Sequence, residues 1–240
     1  MTVQVRWRRR FGFERLPVVT GVTFAVTATT SVLGLVVPGM LEAWERTPQG
    51  LHGQWWRTCT ALLVQDGGVV GTLSNLAFLL VVGALAEQVL RRWRWLACYL
   101  GAGVAAEFAG YAWQPRGAGN SGAVCGLAGA LIVLLVTGAE LSWLAPVALL
   151  YWCGALLAAR WGVVPLVVVV VVGMLGQGML ARGAPGSRLP FAVGRVVAVA
   201  AAVVALVLVA ARDIHGAALV AGVVLAAVTG PEVVHARHRR

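Results

Sequence analysis

Residues 119–136 read GNSGAVCGLAGALIVLLV, a serine between glycines followed by a long apolar run. About 20 predominantly apolar residues cross the hydrocarbon core of a bilayer, so this run predicts a membrane helix that begins near Ser121. Small residues recur along it at Gly122, Gly126 and Gly129. Such residues let helix backbones approach closely in lipid. The stretch therefore predicts a tightly packed membrane helix with a serine at its start.

The remainder of the chain is equally apolar. It is 60% hydrophobic and only 12% charged, with a mean hydropathy of +0.84. Eight spans are predicted, at 17–39, 69–90, 95–113, 121–139, 143–159, 163–181, 190–211 and 213–230. The predicted fold class is therefore all-α, a polytopic helix bundle in a lipid bilayer. One membrane domain would occupy 17–230, between a basic N-terminal segment (1–16) and a basic tail (231–240).

The distribution of arginine predicts the orientation of the bundle. The net charge of +10 arises from arginines that cluster at the ends of the spans, which is typical of a membrane protein and gives no indication of nucleic-acid binding. With the N-terminus in the cytoplasm, 13 arginines lie in inside segments and 5 in outside segments. The positive-inside rule thus favours two cytoplasmic termini. The all-arginine, short-loop character suggests a bacterial plasma membrane.

Three polar residues are predicted to share the outer half of the membrane. Ser121 opens the fourth span, His215 lies near the start of the eighth, and Asn75 lies about six residues into the second. Histidine can accept the proton of a serine nucleophile. The free N–H groups of the first helical turn, at Ser121 and Gly122, favour a developing oxyanion. Asn75 could add an amide donor there.

Small residues would allow the serine and histidine helices to meet. The residues expected to support this packing are Gly119, Gly126, Gly216 and Gly222.

Each residue also has an ordinary structural interpretation. Ser121 could be a helix N-cap, His215 could pair with Asp213 or a carbonyl group, and Asn75 could join two helices. Glu87 and Glu107 are expected near span ends, paired with arginines. The four cysteines are scattered without metal-ligand spacing, so neither a metal ion nor another cofactor is expected. The candidate site depends on the combination of residues.

At this point the sequence resembles the rhomboid family of intramembrane serine proteases. The run GNSGAVCGLAGA (119–130) is similar to the family's G-x-S-G motif, and HGAALVAG (215–222) is similar to its histidine-bearing last helix. Upstream, QWWRTCTALLVQDGG (54–68) resembles the outer loop that carries a Trp-Arg pair, here Trp56-Arg57. Asn75 then falls where the family has its oxyanion-hole asparagine.

The resemblance implies a Ser-His dyad, with no acid completing a triad. Ser121 would attack a peptide carbonyl in a transmembrane protein substrate, and His215 would act as general base and then as general acid. Asn75 and the Ser121 backbone would hold the oxyanion. The family fold has six core spans, so two spans at about 143–181 are interpreted as inserted. The oligomeric state is not predicted.

The chain departs from the family pattern at two positions. Gly71 stands where a histidine commonly assists the oxyanion, and Cys125 stands where an aromatic residue usually packs on the catalytic histidine. A catalytically inactive rhomboid-like protein that binds transmembrane clients is therefore the main alternative. A small transporter or channel is the other, although it would predict more charge within the spans and broken helices facing each other at the midplane.

Overall fold

The structure is a computed structural model that describes residues 15–139, 141–182 and 189–230. The predicted basic tail at 231–240 lies outside the described residues, as does all but the last two residues of the predicted segment 1–16. The described residues form helices and connecting loops, with one isolated β-bridge between Arg46 and Gly117.

The helices follow one another along the chain. Eight are long: α1 (Val18–Val36), α4 (Gly68–Glu87), α5 (Arg92–Trp113), α6 (Ser121–Thr137), α7 (Leu144–Trp161), α8 (Val163–Arg182), α9 (Leu189–Ala210) and α10 (Ile214–Val228). Two short helices lie between α1 and α4: α2 (Met40–Trp44) and α3 (Arg57–Thr60). A 3₁₀ turn (Pro48–Leu51) separates α2 from α3.

Each of the eight predicted spans coincides with one long helix, and no helix end differs from its prediction by more than 3 residues. Within the described chain, the helices α1, α4 and α7 and residues Phe191–Ala210 of α9 are long and apolar enough to cross a membrane. The helices α6 and α10 and residues Val163–Met174 of α8 form shorter apolar helices. The number of crossings stays a prediction, whereas the all-helical bundle is observed.

Helix α6 lies at the centre of the bundle and contacts α4, α5, α7, α9 and α10. Its side chains are buried almost continuously from Gly122 to Leu135. Helix α7 also contributes to the core, because Leu149 and Trp152 are fully buried and the Trp152 ring lies 4.6 Å from that of Phe78 in α4. Of the predicted inserted pair, 143–181, only α8 is peripheral in the structure; the insertion itself stays a prediction.

Glycines bring α6 against two neighbours. A side chain at Gly126 would overlap the carbonyl of Cys98 in α5, and one at Gly222 of α10 would overlap the backbone of Gly126. A side chain at Gly129 would lie 2.5 Å from the carbonyl oxygen of Leu219 in α10. The small face of α6 therefore serves α5 as well as α10, whereas the sequence led us to expect contact with the histidine helix alone.

Two of the predicted packing glycines have different roles from those expected. Gly216 faces α9, where a side chain would lie 2.8 Å from the carbonyl oxygen of Ala205, so it does not join α10 to α6. Gly119 precedes α6 and takes a positive φ of 154°, which glycine adopts at little cost because it has no Cβ. It therefore leaves space in a loop and packs no helix.

Candidate active site

Ser121 and His215 meet at one end of the bundle. Ser121 is the first residue of α6, and His215 is the second residue of α10. The distance from Ser121 Oγ to His215 Nε2 is 2.9 Å, which is a hydrogen bond. The N-cap of α6 is Asn120, so the interpretation of Ser121 as the N-cap is wrong in this structure. The serine hydroxyl instead faces the imidazole.

The other ring nitrogen of His215 contacts a carboxylate. Asp213 Oδ1 lies 2.6 Å from His215 Nδ1, and the same oxygen accepts a hydrogen bond of 2.9 Å from the His215 backbone N–H. Asp213 is the N-cap of α10 and is buried. The sequence interpretations offered His215 either a serine or Asp213 as its partner, but the structure gives it both. An acid thus contacts the histidine of the Ser121–His215 pair, although the resemblance implied a dyad without an acid.

The ionisation of Asp213 follows from its contacts. Burial raises the pKa of its carboxyl, but the hydrogen bonds from the side chain and backbone of His215, together with the electrostatic effects of His215 and Arg160, outweigh burial. The pKa of Asp213 consequently lies below its usual value. The Asp213 carboxyl, in the loop before α10, is therefore ionised at neutral pH.

Asn75 belongs to a chain of side-chain amides beside Ser121. Its Nδ2 donates a 2.7 Å hydrogen bond to Gln65 Oε1, and Gln65 Nε2 donates a 2.9 Å hydrogen bond to Asn120 Oδ1. Gln65 and Asn120 are both buried. With the amides in this orientation, the nitrogen of Asn75 donates to Gln65 Oε1 and lies on the side of the site.

Gly119 lies where these groups converge. A Cβ at Gly119 would lie 3.1 Å from Gln65 Oε1, 3.5 Å from Asn75 Nδ2 and 3.6 Å from Ser121 Oγ. The space beside Gly119 is thus bordered by the predicted nucleophile and by the predicted amide donor. The first-turn N–H groups of Ser121 and Gly122, which have no acceptor within the helix, lie next to it in the chain.

Hydrogen bonds from backbone N–H groups hold the loop that precedes Ser121. Gly119 donates its N–H to the carbonyl of Ala61 at 2.8 Å. Ala118 donates its N–H to Asp66 Oδ2 at 3.0 Å. These bonds fix the backbone on which the serine depends.

A buried ion pair lies in the same region. Arg46 Nη1 contacts Glu107 Oε2 at 2.6 Å, and the side chains are 1% and 2% exposed. The remaining guanidinium donors reach the carbonyl of Gln114 at 3.0 and 2.7 Å, which ties the loop before α6 to α5. A side chain at Gly110 would overlap this guanidinium, so Gly110 leaves the space that Arg46 fills. The expected pairing of Glu107 with an arginine is confirmed.

Glu87 has a different partner from the arginine that was expected. Its carboxylate accepts hydrogen bonds from the backbone N–H groups of Val19 and Thr20 at 2.9 and 2.8 Å, and from the Thr20 hydroxyl at 2.8 Å. It thus caps the first turn of α1, where free N–H groups favour a negative charge.

A cavity of about 250 Å³ opens at the Ser121–His215 pair. Its wall includes Arg46, Asp66, Glu107, Gln114, Ser121 and His215. A polar cavity of this size is large enough to hold water at the pair, since a water molecule needs only about 30 Å³ in the liquid. Among the described residues, no three His, Cys, Asp or Glu side chains are grouped as a metal site would require.

The two departures noted in the sequence have structural counterparts. At Gly71, one turn before Asn75 in α4, a Cβ would meet no atom within 4 Å, so no neighbouring group fills the place of a longer side chain. Cys125 is fully buried one turn below Ser121 in the core of α6.

Sequence reasoning missed several residues of the site. Gln65 and Asn120 had no sequence signal, since each is a single amide residue whose neighbours come from distant parts of the chain. Arg46 was counted only as an outside arginine. Asp213 did carry a signal, because an acidic N-cap two residues before a histidine brings its carboxylate near that residue's N–H.

Comparison with known proteins agrees with the fold. Residues 52–166 match the family model of the Rhomboid domain. The matched segment contains Asn75 and Ser121, whereas His215 lies beyond it. A search of curated proteins and a search of solved structures found no match to the chain. The apolar helices and the matched domain identify an integral membrane protein, and the match over residues 52–166 supports membership of the rhomboid family.

Proposed function

We propose that this protein is an intramembrane serine protease that hydrolyses a peptide bond in or near the transmembrane segment of membrane-protein substrates. The observation that carries the proposal is the 2.9 Å hydrogen bond between Ser121 Oγ and His215 Nε2. Serine and histidine in this relation activate the hydroxyl as a nucleophile. Because the site belongs to a membrane helix bundle, the substrate that reaches it would be a transmembrane protein.

In the first half of the reaction, Ser121 Oγ bonds to the scissile carbonyl carbon while its proton passes to His215 Nε2. The carbonyl oxygen becomes an oxyanion, which the N–H groups of Ser121 and Gly122 and the second amide hydrogen of Asn75 would stabilise. Collapse of this intermediate breaks the carbon–nitrogen bond, and His215 returns the proton to the leaving amine. An acyl-enzyme ester on Ser121 remains.

In the second half, water attacks the ester carbon and gives a proton to His215 Nε2. The bond from the carbon to Ser121 Oγ then breaks, and the proton returns to the serine. The polar cavity beside the pair supports this step, because it has room for the water that the reaction consumes.

A second candidate is an inactive rhomboid-like protein that binds transmembrane clients. Gly71 offers no side-chain donor, and one hydrogen of the Asn75 amide is already engaged by Gln65, so the oxyanion hole is sparse. Loss of one oxyanion donor costs about 2.7–4 kcal/mol of transition-state stabilisation in a soluble protease.

A fluorophosphonate probe distinguishes the two candidates. We expect the probe to label the wild-type protein in liposomes at Ser121, as identified by mass spectrometry, and to leave Ser121→Ala and His215→Ala unlabelled. Equal expression and equal unfolding temperatures of the three proteins are the control. A folded wild type that resists the probe would favour the inactive binding protein.

We further propose that both termini lie in the cytoplasm and that the dyad faces the outer side of a bacterial plasma membrane. The excess of arginine in the predicted inside segments supports this orientation. In intact bacterial cells, a membrane-impermeant thiol reagent should reach the exposed Cys59, in α3, without permeabilisation. If Cys59 reacts only after permeabilisation, the protein has the opposite orientation in the membrane.

A further inference from the structure

Asp213 makes two contacts with His215 through a single oxygen. Its Oδ1 accepts the backbone N–H of His215 at 2.9 Å, as an N-cap side chain does, and it also lies 2.6 Å from His215 Nδ1. Capping requires only the first contact, and asparagine or serine would provide it about equally well. The second contact therefore needs an explanation beyond helix capping.

The ring contact determines which nitrogen of His215 carries the proton. An ionised carboxylate only accepts hydrogen bonds, so Nδ1 must be the protonated nitrogen of the neutral ring. Nε2 is then left with its lone pair toward Ser121 Oγ, 2.9 Å away. In the other tautomer, Nε2 would carry a hydrogen and could not accept the serine proton.

The same carboxylate suits the charged state of the reaction. When His215 takes the serine proton it becomes a cation, and Asp213 lies beside it with a side chain only 9% exposed. Opposite charges attract more strongly where water is largely excluded. The ring is also held at both nitrogens, by Asp213 on one side and Ser121 on the other.

We propose that Asp213 is a positioning residue that, with Ser121 and His215, forms a Ser-His-Asp arrangement in which acid and base come from one helix N-terminus. The inference rests on the proposed protease function for its kinetic effect. It does not rest on that function for the tautomer of His215, which exists in the resting protein. The two can therefore be tested separately.

The first test compares Asp213→Asn with Asp213→Ala in the full-length protein, reconstituted with a transmembrane reporter substrate. Asparagine keeps the cap but removes the charge, so we expect an unchanged unfolding temperature with kcat lowered by about 10²–10⁴-fold. KM should stay the same because Asp213 does not border the space for the substrate. Asp213→Ala should lose both the cap and the activity. A kcat of Asp213→Asn within twofold of the wild type would overturn the proposal.

The second test is independent of catalysis. Nitrogen-15 spectra of histidine-labelled protein report the tautomer of each ring, and the signal of His215 is identified by its loss in His215→Ala. We expect the Nδ1–H tautomer in the wild type and a mixture of tautomers in Asp213→Asn. An Nε2–H ring in the wild type, or no change in the variant, would overturn the proposal even if the protein cleaves no reporter. A wild type with the Nδ1–H ring but no probe labelling would instead refute the protease function alone.

Discussion

Helices α6 and α8 are both long and apolar, but they have opposite surroundings. Helix α6 is buried almost continuously from Gly122 to Leu135 and contacts five other long helices. Helix α8 packs chiefly on α7, and many of its valines are exposed, namely Val163, Val164, Val167, Val168, Val171 and Val172. Hydrophobicity alone does not distinguish a helix that faces lipid from one enclosed by protein.

The size of the side chains does distinguish them. Helix α6 has glycine or alanine at many positions, which permits backbone contact with α5 and α10. Because α10 comes that close, His215 reaches Ser121. Helix α8 has β-branched residues on its exposed positions, which suit lipid contact and bring no polar group to the site. The functional site therefore lies where small residues allow several helices to converge.

The largest effect should come from the buried ion pair beside the first turn of α6. In Glu107→Leu, Arg46 would be left buried and without its carboxylate, which should lower the free energy of unfolding by about 3–5 kcal/mol. The matched control is Arg116→Ala, because the Arg116 side chain is 71% exposed and its pair with Glu45 should contribute only about 0–1 kcal/mol. Denaturant titration in detergent measures both. Equal, small effects would mean that the region around α6 does not depend on this pair.

The second effect concerns catalysis at the start of α6. Asn75→Ala removes the predicted oxyanion donor and should lower kcat by about 10²–10³-fold, with little change in the unfolding temperature. Ser74→Ala, one residue earlier in α4, is the control and should cleave like the wild type. A normal kcat in Asn75→Ala would show that Asn75 only joins α4 to Gln65.

The third effect tests the packing difference between α6 and α8 directly. Gly126→Ala would push a methyl group into the Cys98 carbonyl of α5, and overpacking of this kind costs about 1–3 kcal/mol. Gly173→Ala in α8 is the matched substitution, since its methyl group would lie 3.4 Å from Leu150 Cδ2, an ordinary contact. Thermal unfolding should separate the two variants. If they unfold alike, close approach at α6 does not limit stability.

Much of the fold was predictable from the sequence. In lipid, the backbone N–H and C=O groups of a long apolar run find their hydrogen-bond partners within a helix. The chain order of the spans also placed Ser121 and His215 at the same end of the bundle. The small face of α6 was predicted, but the sharing of that face between α5 and α10 was not. Which neighbouring helix packs on a given glycine depends on residues distant in sequence. Gly216, which faces α9, was misassigned for the same reason.

The site itself was predictable only in part. The residue types and depths of Ser121, His215 and Asn75 followed from the sequence and the resemblance. The amide chain through Gln65 did not, because it joins a loop residue to Asn120, 55 positions away. The Asp213 carboxylate was considered only as a competing partner of His215. Three-dimensional contact was needed to show that one imidazole can hold the acid and the serine together.

The most direct test of the Ser121–His215 pair is cleavage of a transmembrane reporter in proteoliposomes, with wild type, Ser121→Ala and His215→Ala at matched amounts. We expect the wild type to release the reporter fragment and both variants to release none above the protein-free background, while all three unfold at the same temperature. Cleavage by either variant at the wild-type rate would contradict the assignment of these two residues as nucleophile and base.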